Sequence, residues 1–141
     1  MKKREFQKKA TVALFKKLIE VCEKLGKNPN ITVSSKYHSS YFKLRCNCNL
    51  IQISIKQTGE LSYRLTDMLC STSGQKIYYQ YQEGDDFEQI IKKFVADFGR
   101  LYEDFFKAGT LHDFDNMILS YNSDVGEAIK NYENYISMGC L

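Results

Sequence analysis

The chain has 141 residues, of which 43% are apolar and 26% charged, and it carries a formal net charge of +3. That size suits one domain with a buried core, and that usage excludes intrinsic disorder. No apolar run approaches the ~18 residues of a membrane span, and the charged start Met1-Lys2-Lys3-Arg4-Glu5 lacks a signal peptide's apolar stretch, so a cytoplasmic location is expected.

Glu5 to Leu25 reads as a helix, because Phe6, Ala10, Leu14, Leu18, Cys22 and Leu25 recur at helical spacing. Gly26 is its expected C-terminal cap, and Asn28-Pro29-Asn30 stops continuation. The period then changes from 3.6 to 2. Ile31 and Val33 alternate with polar residues, as do Phe42, Leu44 and Cys46. Parity flips at Asn47-Cys48-Asn49, because Ile51, Ile53 and Ile55 stand at odd positions, so a turn is required there. Thr58-Gly59 marks the next turn, before Leu61, Tyr63 and Leu65. A loop from Ser71 to Gln75 leads to Ile77, Tyr79 and Tyr81. Five short strands joined by turn signals predict an antiparallel meander.

Asp86 and Gln89 have capping-box spacing ahead of a helix from about Phe87 to Lys107. Its apolar residues, among them Phe87, Ile91, Phe94, Phe98, Leu101 and Phe105, form an arc wide enough to meet the sheet on one side and another helix or subunit on the other. His112 to Met138 repeats the helical signal, with a break expected at Asn122-Ser123-Asp124. The expected architecture for residues 1–141 is a single α+β domain: an N-terminal helix, a five-stranded antiparallel meander, and two or three C-terminal helices on one sheet face.

Motifs of established chemistry are missing. No phosphate-binding glycine loop, nucleophile elbow or H-E-x-x-H occurs. His38 beside Ser39 and Ser40 reads as a solvated turn, and His112-Asp113 with Asp115 as an acidic helix start. Five cysteines at irregular spacing, with a C-x-C at Cys46 and Cys48, fit neither a disulfide framework nor a zinc site. No catalytic residue, metal or cofactor is expected.

The charge placement carries more information. Residues 1 to 82 hold fifteen Lys/Arg against five Asp/Glu, and residues 83 to 141 hold five against twelve. Alternation puts Ile31, Val33, Phe42, Leu44, Ile51, Ile53, Ile55, Tyr63, Leu65, Ile77 and Tyr79 toward the core. The opposite face is then expected to carry Lys36, Lys43, Arg45, Lys56 and Arg64, with Tyr41 and Tyr78, and no acid. Cationic sheet faces with aromatic rings attract phosphates and stack bases. An alternative contact surface is acidic, with Asp97, Glu103 and Asp104 on the last helices.

These features imply a non-catalytic protein that binds a protein, a nucleoprotein complex or nucleic acid, and no membrane. Phe, Tyr, Met, Ile, Asn and Lys supply 58 of 141 residues and Lys outnumbers Arg 16 to 4, which suggests a low-GC source, such as a phage or mobile element. An inhibitor of a host nucleic-acid enzyme, such as a CRISPR effector, would suit that source. The alternatives are a single-strand-binding protein, or a self-assembling structural protein that uses its opposed charges or forms a homodimer.

Overall fold

The computed structural model describes residues 1–26 and 29–111, together with 121, 126, 127, 129, 130 and 133. Helix α1 spans Lys3–Lys24. Strands β1 (Asn30–Ser35), β2 (Ser39–Cys46), β3 (Asn49–Lys56), β4 (Glu60–Thr66) and β5 (Lys76–Gln80) follow, and helix α2 spans Phe87–Ala108. The sheet runs in the order β1-β2-β3-β4-β5, every neighbouring pair antiparallel, as the meander pattern predicts. The expected third helix over His112 to Met138, the break at Asn122-Ser123-Asp124 and Cys140 lie largely or wholly outside the described residues.

Local chemistry accounts for most boundaries. Leu25 caps α1 by donating its N–H to the Val21 carbonyl at 3.0 Å, and Gly26 takes φ +67° beyond it. The parity flip between β2 and β3 is a tight turn in which Cys46 pairs with Asn49 and Asn47 adopts φ 57°. Gly59 turns β3 into β4 at φ +86°, and a Cβ there would stand 3.1 Å from the Tyr81 carbonyl oxygen. Asp86 caps α2, its side chain accepting the Gln89 N–H at 3.2 Å.

Both helices lie on one face of the sheet. Phe42, Leu44, Ile51, Ile53, Ile55, Leu61, Tyr63 and Leu65 point toward them and are at most 1% exposed. From α1 they meet Phe6, Ala10, Leu14 and Leu18, and from α2 Ile91, Phe94, Phe98, Leu101 and Phe105, in one buried cluster. Aromatic pairs recur through it: Phe6 stacks on Tyr81 at 4.4 Å, and Phe94 meets Tyr78 edge-on at 4.9 Å. The wide apolar arc of α2 is therefore covered within one chain.

Two expected core residues of the sheet are exposed. Val33 faces the helices but lies on the edge strand β1, beyond the cover of α1, and is 41% exposed. Ile77 points to the opposite face and is 60% exposed. The register between β4 and β5 shifts at Leu61/Ser62, so Tyr79 pairs with Leu61 while Ile77 pairs with Ser62. An extra residue in one strand breaks strict alternation, and Tyr78 turns inward as a result.

Asp67 ties the far end of β4 to Leu111, just after α2. One carboxylate oxygen accepts the N–H groups of Leu69 and Ser71, and the other that of Leu111, each at 2.9 Å. The Leu111 N–H first, then those of Ser71 and Leu69, hold its carboxyl below the usual range.

Two expectations follow from this packing. Phe94→Ala or Phe98→Ala should each cost about 3–5 kcal/mol in urea unfolding, because both rings are wholly buried. An unchanged midpoint in both variants contradicts the docking of α2. Asp67→Asn replaces one acceptor oxygen by a donor amide, so it should lower Tm at neutral pH. The native carboxyl is depressed, so its contribution is present above the unfolded value of about 3.9 and is lost as pH falls through the folded value. The gap between wild type and variant in thermal melts should therefore narrow between pH 7 and pH 3.

Candidate functional site

The face of the sheet away from the helices has no helix over it among the described residues. Register sets its side chains in rows across the strands. One row runs Thr32, Lys43, Gln52, Arg64. A second runs Ser34, Tyr41, Ser54, Ser62, Ile77. A third runs Asn30, Arg45, Leu50, Thr66. Lys43, Arg45 and Arg64 are exposed, and Tyr41 is half-buried. Among the described residues none of these three cations has an acidic partner.

These cations tolerate each other at small cost. Lys43 and Arg64 are two strands apart, about 10 Å between backbones. In water that repulsion is about 0.4 kcal/mol, and physiological salt screens it further. A bound polyanion would convert the same proximity into attraction.

The remaining expected residues are placed differently. Lys36 is exposed in the β1–β2 turn, at one end of the face rather than within it. Lys56 lies on the face, but its ammonium is 3.0 Å from the Glu60 carboxylate. Glu60 shares the orientation of Ser62 and Arg64, so the face does contain an acid, contrary to the expectation. Tyr78 does not belong to this face: it is 4% exposed beneath α2, and its hydroxyl donates to Asp97 at 2.7 Å. The bulge in β5 is the cause.

The expected acidic surface does not assemble. Each of its three carboxylates meets a base one helical turn away. Asp97 pairs with the fully buried Lys93, Asp104 lies 3.6 Å from Arg100, and Glu103 lies 3.1 Å from Lys107. Glu103 is itself 0% exposed. Asp97, Glu103 and Asp104 are thus neutralised at close range by bases of their own helix.

Two buried polar clusters were not legible in the sequence. Lys93 sits within 5.5 Å of the Tyr78 ring centre and 5.8 Å of the Tyr121 ring centre, beside the Asp97 carboxylate. Burial, and then the Asp97 carboxylate, push the Tyr78 hydroxyl well above its ordinary range, so it acts as a donor and not as a base. In the second cluster burial pushes the Cys22 thiol up to about 11, although the adjacent Tyr102 hydroxyl acts in the opposite direction. Such a thiol is a poor nucleophile. Among the described residues no group of three or more His, Cys, Asp and Glu could hold a metal ion, and no helix is long and apolar enough to cross a membrane. His38 is exposed, its Nδ1 3.0 Å from the Gln57 amide nitrogen. His112, Asp113 and Asp115 lie outside the described residues.

Comparison with family models, with curated proteins and with solved structures gives no match. The open sheet face is therefore read from its own chemistry.

The four described cysteines are free, with Cys48 and Cys70 exposed and Cys22 buried. A thiol reagent at pH 8 should modify Cys48 and Cys70 in the native protein and reach Cys22 only after denaturant is added. Rapid native labelling of Cys22 would mean that the α1–α2 contact opens easily.

Proposed function

We propose that this chain is a non-catalytic binding protein that docks a nucleic acid on the open face of its sheet. The observation that carries the reading is the exposed group of Lys43 and Arg45 on β2 and Arg64 on β4, on one face of the sheet with β3 between them and with no acidic partner among the described residues. A rigid sheet backed by two helices holds these cations at fixed spacing, so a polyanion gains attraction without first ordering the backbone that carries them. Glu60 and Lys56 neutralise each other at one end, which confines the positive field to the side of the face that holds the three unpaired cations.

Composition motivates a narrower form of this proposal. A low-GC source is consistent with a phage or mobile-element protein that blocks a host nucleic-acid enzyme, and a nucleoprotein target presents the same phosphate chemistry.

The test is charge reversal on the face. Three neutralised phosphates imply a slope of log affinity against log salt of about −2 on single strands and about −2.7 on duplex. Lys43→Glu with Arg45→Glu should abolish binding, measured by fluorescence anisotropy, and should leave stability within about 0.5 kcal/mol because both side chains are exposed. A double variant that binds every nucleic acid as wild type does would remove this face from consideration. Binding of an acidic protein, with no nucleic acid retained at any salt, would replace the proposed partner class.

A further inference from the structure

We infer that the ligand of this face is a single strand whose bases lie along the row from Tyr41 to Ile77, a conclusion that rests on the nucleic-acid reading above. The row is Tyr41, Ser54, Ser62, Ile77, each directly opposite the next on adjacent strands. Its two middle members are the smallest side chains on the face, and its outer members are an aromatic ring and an aliphatic side chain 60% exposed. The result is a stretch of short side chains between two apolar groups about 14 Å apart, three inter-strand spacings.

The surroundings suit a base. Ser54 and Ser62 are 4% and 0% exposed, yet no described helix covers them. The Gln75 amide nitrogen lies 2.6 Å from the Ser62 hydroxyl. Beside Tyr41 the row offers only Ser34 and Ser54, side chains too short to cover an aromatic ring. A base has a π-face whatever its identity, which makes stacking tolerant of sequence. The Gln52 amide offers both donors and an acceptor to an exposed base edge, whereas the Gln75 amide nitrogen is already engaged by Ser62 and Glu60.

The cations stand where a backbone would follow. Lys43 lies one strand repeat, about 7 Å, from Tyr41 on β2, and Arg64 occupies the same position relative to Ser62 on β4. Phosphates along the Lys43–Arg64 row would leave their bases over the neighbouring row. Duplex geometry fits poorly. From β1 to β5 the sheet is about 19 Å wide, whereas the major groove is about 12 Å wide and admits a helix or a two-stranded ribbon. Duplex bases also stay stacked and hidden from Tyr41.

The experiment compares a labelled 12-nucleotide oligo-dT, a 12-base-pair duplex and heparin as competitors for the wild-type protein, with Tyr41→Ala, Tyr41→Leu and Tyr41→Phe. Single strand should bind at least ten-fold tighter than duplex, and heparin should compete only at low salt. Tyr41→Ala should weaken oligo-dT by about five- to 150-fold, Tyr41→Leu nearly as much, and Tyr41→Phe little. Tyr41→Leu keeps an apolar side chain, so it carries the test if Tyr41→Ala fails to fold. Equal affinity for duplex, or full binding by Tyr41→Leu, overturns the single-strand inference. If the Lys43/Arg45 reversal still abolishes binding in that case, the nucleic-acid reading stands. Should wild type bind none of the three probes, both fall together.

Discussion

Everything on the open face depends on two helices packing side by side on the other one. An antiparallel sheet with strict alternation has one apolar face, and that face must be covered. Here α1 and α2 together provide the cover, leaving the core side chains of β2, β3 and β4 essentially without exposure. Because both helices go to the same side, the face that carries Lys43, Arg45 and Arg64 has no helix over it among the described residues. Lys43 and Arg45 on β2 and Arg64 on β4 are then held to a spacing set by backbone hydrogen bonds.

The interior of α2 shows how the charge was arranged. This helix contributes acids at Asp97, Glu103 and Asp104, yet each is balanced by a basic residue four positions away. Lys93 and Glu103 are fully buried, an arrangement tolerated because each has a charge partner within reach. The negative total of the C-terminal part of the chain therefore does not translate into an acidic contact surface on α2. Lys43, Arg45 and Arg64 have no such partners within the described structure, so part of the excess positive charge of the first 82 residues is expressed on the sheet, while residues 1–27, with nine Lys/Arg against three Asp/Glu, hold the larger share. The net charge of a segment says little until the pairing of its members is known.

The same distinction separates the two tyrosines first grouped together. Tyr41 remains on the open face, opposite Ser34 and Ser54. Tyr78 is drawn beneath α2, where its hydroxyl donates to Asp97 and its ring packs against Phe94. Their environments differ because β2 is regular, whereas β5 carries a bulge. In place of Tyr78, the bulge delivers Ile77 to the open face, which turns a uniformly polar row into one with an apolar end.

Alternation and capping determined most of the fold in the sequence alone. Period-2 runs at Phe42–Cys46, Leu50–Ile55 and Leu61–Leu65, with turns at Asn47-Cys48 and Thr58-Gly59, placed β2, β3 and β4 and the side on which each residue lies. Asp86 and Gln89 placed the start of α2. Glu60 was legible too, since it shares the parity of Arg64. Tertiary structure alone decided the rest. A register shift depends on how one strand meets its neighbour, so nothing in Lys76-Ile77-Tyr78-Tyr79 announces that Ile77 points outward. Whether Val33 is covered depends on how far α1 extends across the sheet. Whether Lys93 is buried depends on which sides of α2 are occupied. Pattern reports the direction of a side chain along its own element, but burial and charge pairing are set by the elements that pack against it.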